Sequence, residues 1–438
     1  MTPRFARLAP SAVALLVVCA CGKAAPRNLL LVSIDTLRAD RIGAYGYQRG
    51  TSPAMDRLAA RGVRFETVIA DSNWTLPSHM TLFTGRAPSV HGVTLPAHRL
   101  ASEVPTLAEL LRARGYRTAA FTGGGWVLGV YGFARGFERY EDHGLDFPTA
   151  LELAERKIRD FATDDRFFIF VHTYEVHCPY DPPSSYAARF RTRPPEDELE
   201  TRGRCGNTYY NTSGLTPGQA KFLSDRYDAS IRYADDLLAG FLERLEAGGR
   251  LSDTLVVVLS DHGEEFLEHG RIGHRATQYI ESLRIPWIMV GPGLEPRVVQ
   301  EPAGLADVMP TVLGLLRIPP PPSDGVSLLR VPQGRDADHN HRALFSENDV
   351  SVRLRSVVLG DYQLIVEPTA KFLFDWHADP LERQNLFGTD PERDAIIEQA
   401  LATRLARLAQ ARASATEAAP VEIDDQQRKR LHALGYVE

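Results

Sequence analysis

Three short stretches of this chain carry side chains suited to holding a cation beside a reactive hydroxyl. Asp35 follows an apolar run in SIDTLRAD, and Asp261 and His262 follow another in VVLSDHGEE. A carboxylate at one strand end and an Asp-His pair at another combine hard anionic oxygen with neutral imidazole nitrogen. That donor set suits a divalent cation shared between strands. Taken by itself, DHG after a buried strand also reads as a capping turn, and Asp35 alone says less. The third stretch is Trp74-Thr75-Leu76-Pro77-Ser78, a hydroxyl two residues before a proline where a helix begins, with MTLFTG as its body and Gly85 as its stop. A helix N-terminus offers free N–H groups and a positive dipole, so a sulfate or phosphate bound there would lie over the Thr75 oxygen. Threonine is equally a favoured helix cap, which leaves two readings of Thr75.

Bringing such residues together requires strand ends gathered along one edge of a sheet. Asn28 to Ile34, NLLLVSI, is a continuous apolar run without alternation, as expected for a strand covered on both faces. Similar runs lie at 118–121, 167–171, 255–259 and 285–290, with helical patterns at 104–113, 149–160, 216–246 and 306–316, the last carrying Pro310 as a kink. This alternation predicts an α/β fold, a mostly parallel central sheet flanked by helices, with ligands beyond the carboxyl ends of its strands. The segment IPPPPS at 318–323 and the polar stretch at 333–341 interrupt the pattern. Beyond them, 351–358 and 362–366 alternate like exposed strands, and a helix is expected over 391–413. The chain is thus divided into a catalytic domain at 27–330 and a small C-terminal α+β subdomain at 340–438.

The composition is that of a globular chain: 438 residues, 44% apolar and 24% charged, with a net charge of −6 and no Lys/Arg tract to support nucleic-acid binding. The opening MTPRFARLAPSAVALLVVCACGK has Arg4 and Arg7, a short apolar run and then small residues, which reads as a secretion signal over 1–20. The run is too short to span a bilayer. Val18-Cys19-Ala20-Cys21 resembles a bacterial lipobox with Cys21 as the lipidated residue. The expectation is an extracytoplasmic lipoprotein, membrane-anchored at the periplasmic face or outer membrane. Cys178 and Cys205 remain, and in an oxidising compartment they form a candidate pair across an inserted loop.

Six stretches in order, LLLVSIDTLRADRIGAYGY, TLPSHMTLFTGRAPSVHGV, HCPYDPP, LSDHGEE, GHRATQYIESLRIP and ADVMPTVLGLL, resemble the sulfatase family within the alkaline phosphatase superfamily. The likeness runs from about Arg27 to Leu329, and the tail LFDWHADPLERQNLF is similar to the family's closing subdomain. The resemblance implies that Asp35, Asp261 and His262 ligate one divalent ion (Mn, Zn, Mg or Ca), with the Thr75 oxygen completing the set. It implies also that His177 in HCPY and His274 in GHR bind the anion or assist the leaving group. His172, His269, His79 and Arg275 rank below these.

The departures from the family pattern cluster. A C-x-P-x-R motif, whose Cys or Ser becomes formylglycine, is here Thr75-Leu76-Pro77-Ser78-His79; threonine cannot be converted by that route, and the closing arginine is His79. A second Asp often found in the family is Thr36, and a GKWHLG pattern is GGGWVLG, with Gly125 and Val127 in place of its lysine and histidine. A formylglycine hydrate expels sulfate with its second hydroxyl, whereas a threonine ester must be cleaved by water at sulfur or phosphorus. The expectation is therefore a metal-dependent hydrolase or transferase acting on a phosphate mono- or diester through Thr75. The substrate would be a small molecule, a glycan or a phospholipid ester. The alternatives are a sulfuric ester hydrolase without formylglycine and a non-catalytic metal- and anion-binding lipoprotein.

Overall fold

The computed structural model describes residues 25–192, 215–328, 342–413 apart from Ser351, and most of 418–431. The secretion signal, Cys21, Cys205 and the polar stretch at 333–341 lie outside the described residues. Cys178, inside them, is disulfide-bonded.

The main sheet contains β1 (Asn28–Ile34), β2 (Val63–Phe65), β3 (Tyr116–Phe121), β4 (Arg139–Glu141), β5 (Arg166–Thr173), β6 (Thr254–Leu259), β7 (Trp287–Val290) and β8 (Arg297–Val299). Their spatial order is β8-β2-β7-β6-β1-β5-β3-β4. Only β7 runs antiparallel to its neighbours, β6 and β2; the other pairs are parallel. The sheet is an α/β sheet of the mostly parallel kind, and its central strand explains its own sequence. All seven residues of β1 are buried, Leu29 and Leu31 in the core on one face and Leu30, Val32 and Ile34 in the core on the other.

Helices α1 (Pro53–Arg61), α2 (Thr75–Thr84), α3 (Phe147–Asp160), α4 (Pro217–Ala247), α5 (Val308–Leu315) and α6 (Pro391–Ala413) surround these strands. Apolar residues of α2 and α5 fill one core, and those of α1, α3 and α4 fill the other. The 31-residue α4 starts with a reciprocal cap, in which Thr216 and Gln219 each accept the other's backbone N–H, and with Pro217 in its first turn. Ten consecutive residues of α2 are buried. Five of the ten are polar, so α2 is held by apolar packing of Leu76, Met80, Leu82 and Phe83 together with buried hydrogen bonds such as Ser78 Oγ to the Ser72 carbonyl at 2.8 Å.

After α5 the chain forms a second, antiparallel sheet of β9 (Leu344–Asn348), β10 (Leu354–Leu359), β11 (Tyr362–Val366) and β12 (Lys371–Asp375). Gly360, with a φ of 59°, supplies the left-handed residue that the tight β10–β11 turn requires. Ile397 and Leu401 of α6 pack on Val357, Leu364 and Leu373 of this sheet. Its edge strand also braces the start of α2: Asn348 donates to Asn73 Oδ1 and to the Arg275 carbonyl, each at 2.7 Å.

Candidate active site

Register alone brings the principal carboxylates together. Ser33 of β1 pairs with Leu259 of β6, so Asp35 and Asp261, each two residues farther on, emerge side by side. On the other flank Ser33 pairs with His172 of β5. The chain turns sharply after Asp35 through Thr36, whose φ of 58° is unusual for a β-branched residue and marks local backbone strain. The turn is held by the Thr36 N–H donating to Asp261 Oδ1 at 3.2 Å and by the Leu37 N–H donating to Ser260 Oγ at 2.8 Å.

Thr75 is the first helical residue of α2, not its cap. The cap position is Trp74, which makes no side-chain cap bond. The Thr75 hydroxyl turns instead to the strand ends, where it hydrogen-bonds the Asp35 carboxylate and its Oγ1 lies 3.4 Å from His262 Nε2. His262 Nε2 in turn lies 3.3 Å from Asp261 Oδ2 and 3.9 Å from Asp35 Oδ1. Asp35, Thr75, Asp261 and His262 all have 0% exposure.

Two carboxylates this close in a dry site cannot both be charged without a positive partner. Burial, reinforced by the charges of Asp261 and Glu264, pushes Asp35 well above the usual carboxylate range, with a hydrogen bond from Thr75 opposing. Burial also acts to raise Asp261, but His262 and His79 beside it hold it below that range. Asp35 Oδ1 and Asp261 Oδ2 are buried and make no hydrogen bond of good geometry among the described residues. Asp35, Asp261 and His262 bring one ligand atom each to within 4.8 Å of one another, and their mixed oxygen and nitrogen donors fit a divalent cation.

His177 and His274 border the same cluster. Their rings are 5.3 Å apart, and the His274 ring is 4.4 Å from that of His262. Burial, then the neighbouring His274, lowers His177 to about 3, and burial with His262 pushes His274 down as well. Both are neutral imidazoles near pH 7, and the one N–H of each neutral ring is at Nδ1, given by His177 to the Cys178 carbonyl at 2.6 Å and by His274 to Glu264, so each Nε2 carries a lone pair able to take up a proton. Sequence reading overlooked Glu264, which fixes this arrangement: Oε1 lies 2.9 Å from His274 Nδ1, and Oε2 accepts the Tyr180 hydroxyl at 2.8 Å. Its signal was a carboxylate three residues beyond Asp261.

The lower-ranked residues divide. His79 and His172 are fully buried in the cluster, His79 Nδ1 at 3.3 Å from Asp261 Oδ2 and His172 Nε2 at 3.2 Å from Asp35 Oδ2. Arg275 lays its guanidinium 4.7 Å from the Trp74 ring centre, next to Thr75 in sequence. His269 stands apart: it pairs with Glu281 at 2.7 Å, stacks on Tyr279 at 3.4 Å and reaches the Glu382 carbonyl, bracing the second sheet's side of the molecule.

This fold and site are those of a hydrolase of the alkaline phosphatase and sulfatase superfamily. A family model described as Sulfatase matches residues 27–318, and the chain belongs to the sulfatase family. It is 24% identical over 428 aligned residues to an ulvan-active sulfatase of Formosa agariphila, covering 87% of this chain and 81% of that one. Human arylsulfatase A is 27% identical, with 72% of this chain and 68% of the relative covered. Among solved structures, the phosphonate monoester hydrolase of Agrobacterium radiobacter superposes with a TM-score of 0.72 at 20% identity, over 88% of this chain and 96% of the other.

Proposed function

We propose that this protein is a metal-dependent phosphoesterase, a hydrolase or transferase that attacks a phosphate or phosphonate ester with the Thr75 hydroxyl. The observation that carries the reading is Thr75 itself: a threonine at the buried start of α2, 3.4 Å from His262 Nε2, where formylglycine cannot form. Asp35, Asp261 and His262 would hold one divalent ion (Mn, Zn, Mg or Ca), with Thr75 Oγ1 as the fourth donor. Such an ion lowers the pKa of a coordinated hydroxyl and neutralises charge on the transferring group.

The chain's own residues account for the rest. The α2 N-terminus and the Arg275 charge receive the anion, while His177 and His274 donate N–H groups to its oxygens once the bound negative charge has brought a proton to Nε2. Glu264 is the positioning residue that orients His274. Attack by Thr75 Oγ1 on phosphorus forms a threonine phosphoester and breaks the bond from phosphorus to the leaving oxygen, and the proton given up by the Thr75 hydroxyl ends on the departing alkoxide or phenoxide. Water then attacks the same phosphorus and returns Thr75 to its hydroxyl form; in a transferase an acceptor alcohol takes the place of water.

Sulfuric ester hydrolysis is the second reading, favoured by the names of the relatives. A panel of aryl phosphate, bis-aryl phosphate, phosphonate ester and aryl sulfate decides between them. Turnover of a phosphorus ester supports the first; turnover of sulfate alone overturns it. Cys21 is read as a lipid attachment point that anchors the protein outside the cytoplasm. Cys21→Ser should then release it from membranes, and unchanged fractionation would remove that reading.

A further inference from the structure

A cavity of about 560 Å³ opens between α6, the second sheet and the turn that leads into α5. That volume is typical of a small-molecule site, and none of Asp35, Thr75, Asp261, His262, His177 or His274 lines it. Its apolar wall is made by Ala343, Leu344 and Leu359 at the second sheet and by Ile396 and Ala400 of α6. Ile396 is 58% exposed, unusually open for so large an apolar side chain. Along α6 the lining residues Ile396, Ala400, Arg404 and Arg407 recur every three or four positions and so share one face. That face is apolar where Ile396 stands and cationic at Arg404, about 12 Å farther along the helix.

The acidic groups of the cavity are engaged, whereas two of its cations are not. Asp307 Oδ1 lies 2.6 Å from Arg342 Nη2, which neutralises both. Asp324 Oδ2 accepts the Ala87 N–H at 3.0 Å, and Asp71 Oδ2 accepts the Ala306 N–H at 3.1 Å. Burial raises the Asp71 carboxyl to about 7, so a proton readily removes its charge. Arg404 and Arg407 make no hydrogen bond or ion pair among the described residues, and Arg404 Nε is buried without an acceptor. Asp71 and Glu347 feel the Arg404 charge only at a distance. The Arg404 guanidinium stands 5.3 Å from the Phe345 ring centre, a contact that steadies it without using its N–H groups. A desolvated guanidinium donor without an acceptor calls for an anion.

We propose that this cavity binds an amphiphilic anion, a fatty-acid-like carboxylate with its head at Arg404 and Arg407 and its aliphatic chain along Ala400 and Ile396. The polarity of the α6 face sets that orientation. A single negative charge suits two arginines with Asp71 close by, where a doubly charged phosphate would meet more repulsion.

Decanoate is the probe, titrated calorimetrically into the metal-loaded full-length protein below its micelle-forming range. One decanoate per chain is expected, bound about tenfold more tightly than octanoate because more methylene surface is buried. Arg404→Gln should weaken it about tenfold or more through loss of a charge-assisted bond. Thr75→Ala and Arg275→Ala should leave it unchanged. Absence of binding overturns the proposal, and so does unchanged affinity in Arg404→Gln. Equal affinity for acetate or for decylammonium would reveal an anion site without a tail or an unselective apolar surface, and either overturns it. Loss of decanoate binding in Arg275→Ala would place the anion in the active site and overturn it as well. Ile396→Asp, at an exposed position, keeps the test open if Arg404→Gln does not fold: weaker binding is expected, and unchanged affinity overturns the proposal. None of these readouts depends on turnover, so they stand whatever the substrate panel shows.

Discussion

Thr75 Oγ1 and His262 Nε2 lie 3.4 Å apart although 187 residues separate them in the chain, and both side chains are wholly buried. One sits at the start of a helix and the other just past a strand, so packing of α2 against the sheet edge creates the contact. Thr75→Ala should lower kcat by about 10³-fold or more, since loss of a nucleophile removes the covalent route, while zinc binding stays within a few-fold of wild type. Thr75→Ser should keep measurable activity. Steady-state kinetics with a metal titration checks this; an alanine variant that turns over at the wild-type rate removes Thr75 from the mechanism.

The guanidinium of Arg275 stacks 4.7 Å from the Trp74 ring centre, and Trp74 is the cap residue of α2. A positive charge held there acts on a bound anion in ground and transition states alike. Arg275→Ala should therefore raise KM about tenfold, roughly 1.4 kcal/mol of binding, with a smaller change in kcat. Arg275→Lys should recover part of the loss. A fall in kcat at constant KM would instead make Arg275 specific to the transition state.

The strands that position this site were legible to different degrees, and the differences have physical causes. β1 matches its run end to end because a strand buried on both faces must be largely apolar, and its two polar residues, Asn28 and Ser33, are hydrogen-bonded to Asp253 and His79. β2, Val-Arg-Phe, and β8, Arg-Val-Val, are three residues each and leave no periodic trace. The antiparallel direction of β7 depends on how the chain crosses the sheet, which no residue pattern in 285–290 records. Asp35, Asp261 and His262 stood out because each follows such a run. His79 and His172 gained importance only from three-dimensional placement, through the docking of α2 and the pairing of His172 with Ser33.

Glu265 carries a pH dependence of stability. Burial, then the charge of Glu281, raises its carboxyl to about 8, against a hydrogen bond from Thr277. The unfolded chain has a carboxylate near the ordinary value of about 4.3, so the folded state favours the protonated form. That stabilisation is fully present below about pH 4.3 and is lost as the pH rises through 8. Glu265→Gln mimics the protonated group. Thermal unfolding should show little difference between the variant and wild type at pH 5, with the variant the more stable at pH 9; parallel behaviour at both pH values would contradict the assignment.

Asp235 stabilises α1 from a distance. It lies on α4 with 0% exposure, and its two carboxylate oxygens accept the first-turn N–H groups of Ala54 at 2.7 Å and Met55 at 2.9 Å. Ser52, at the cap position, makes no side-chain cap bond to the helix N–H groups, so Asp235 supplies from another helix what a local cap usually supplies. The helix it holds sends Met55 into the core shared with β1 and α4. Asp235→Ala would leave two buried N–H groups without acceptors, each worth about 1–3 kcal/mol. Partial relaxation and water entry reduce the sum, giving an expected loss of about 2–4 kcal/mol in urea unfolding. Asp235→Asn keeps one acceptor oxygen but turns an amide N–H₂ toward the other donor, and it should fall between the two. An alanine variant within about 0.5 kcal/mol of wild type, the range of an ordinary surface substitution, would show that α1 does not depend on this cap.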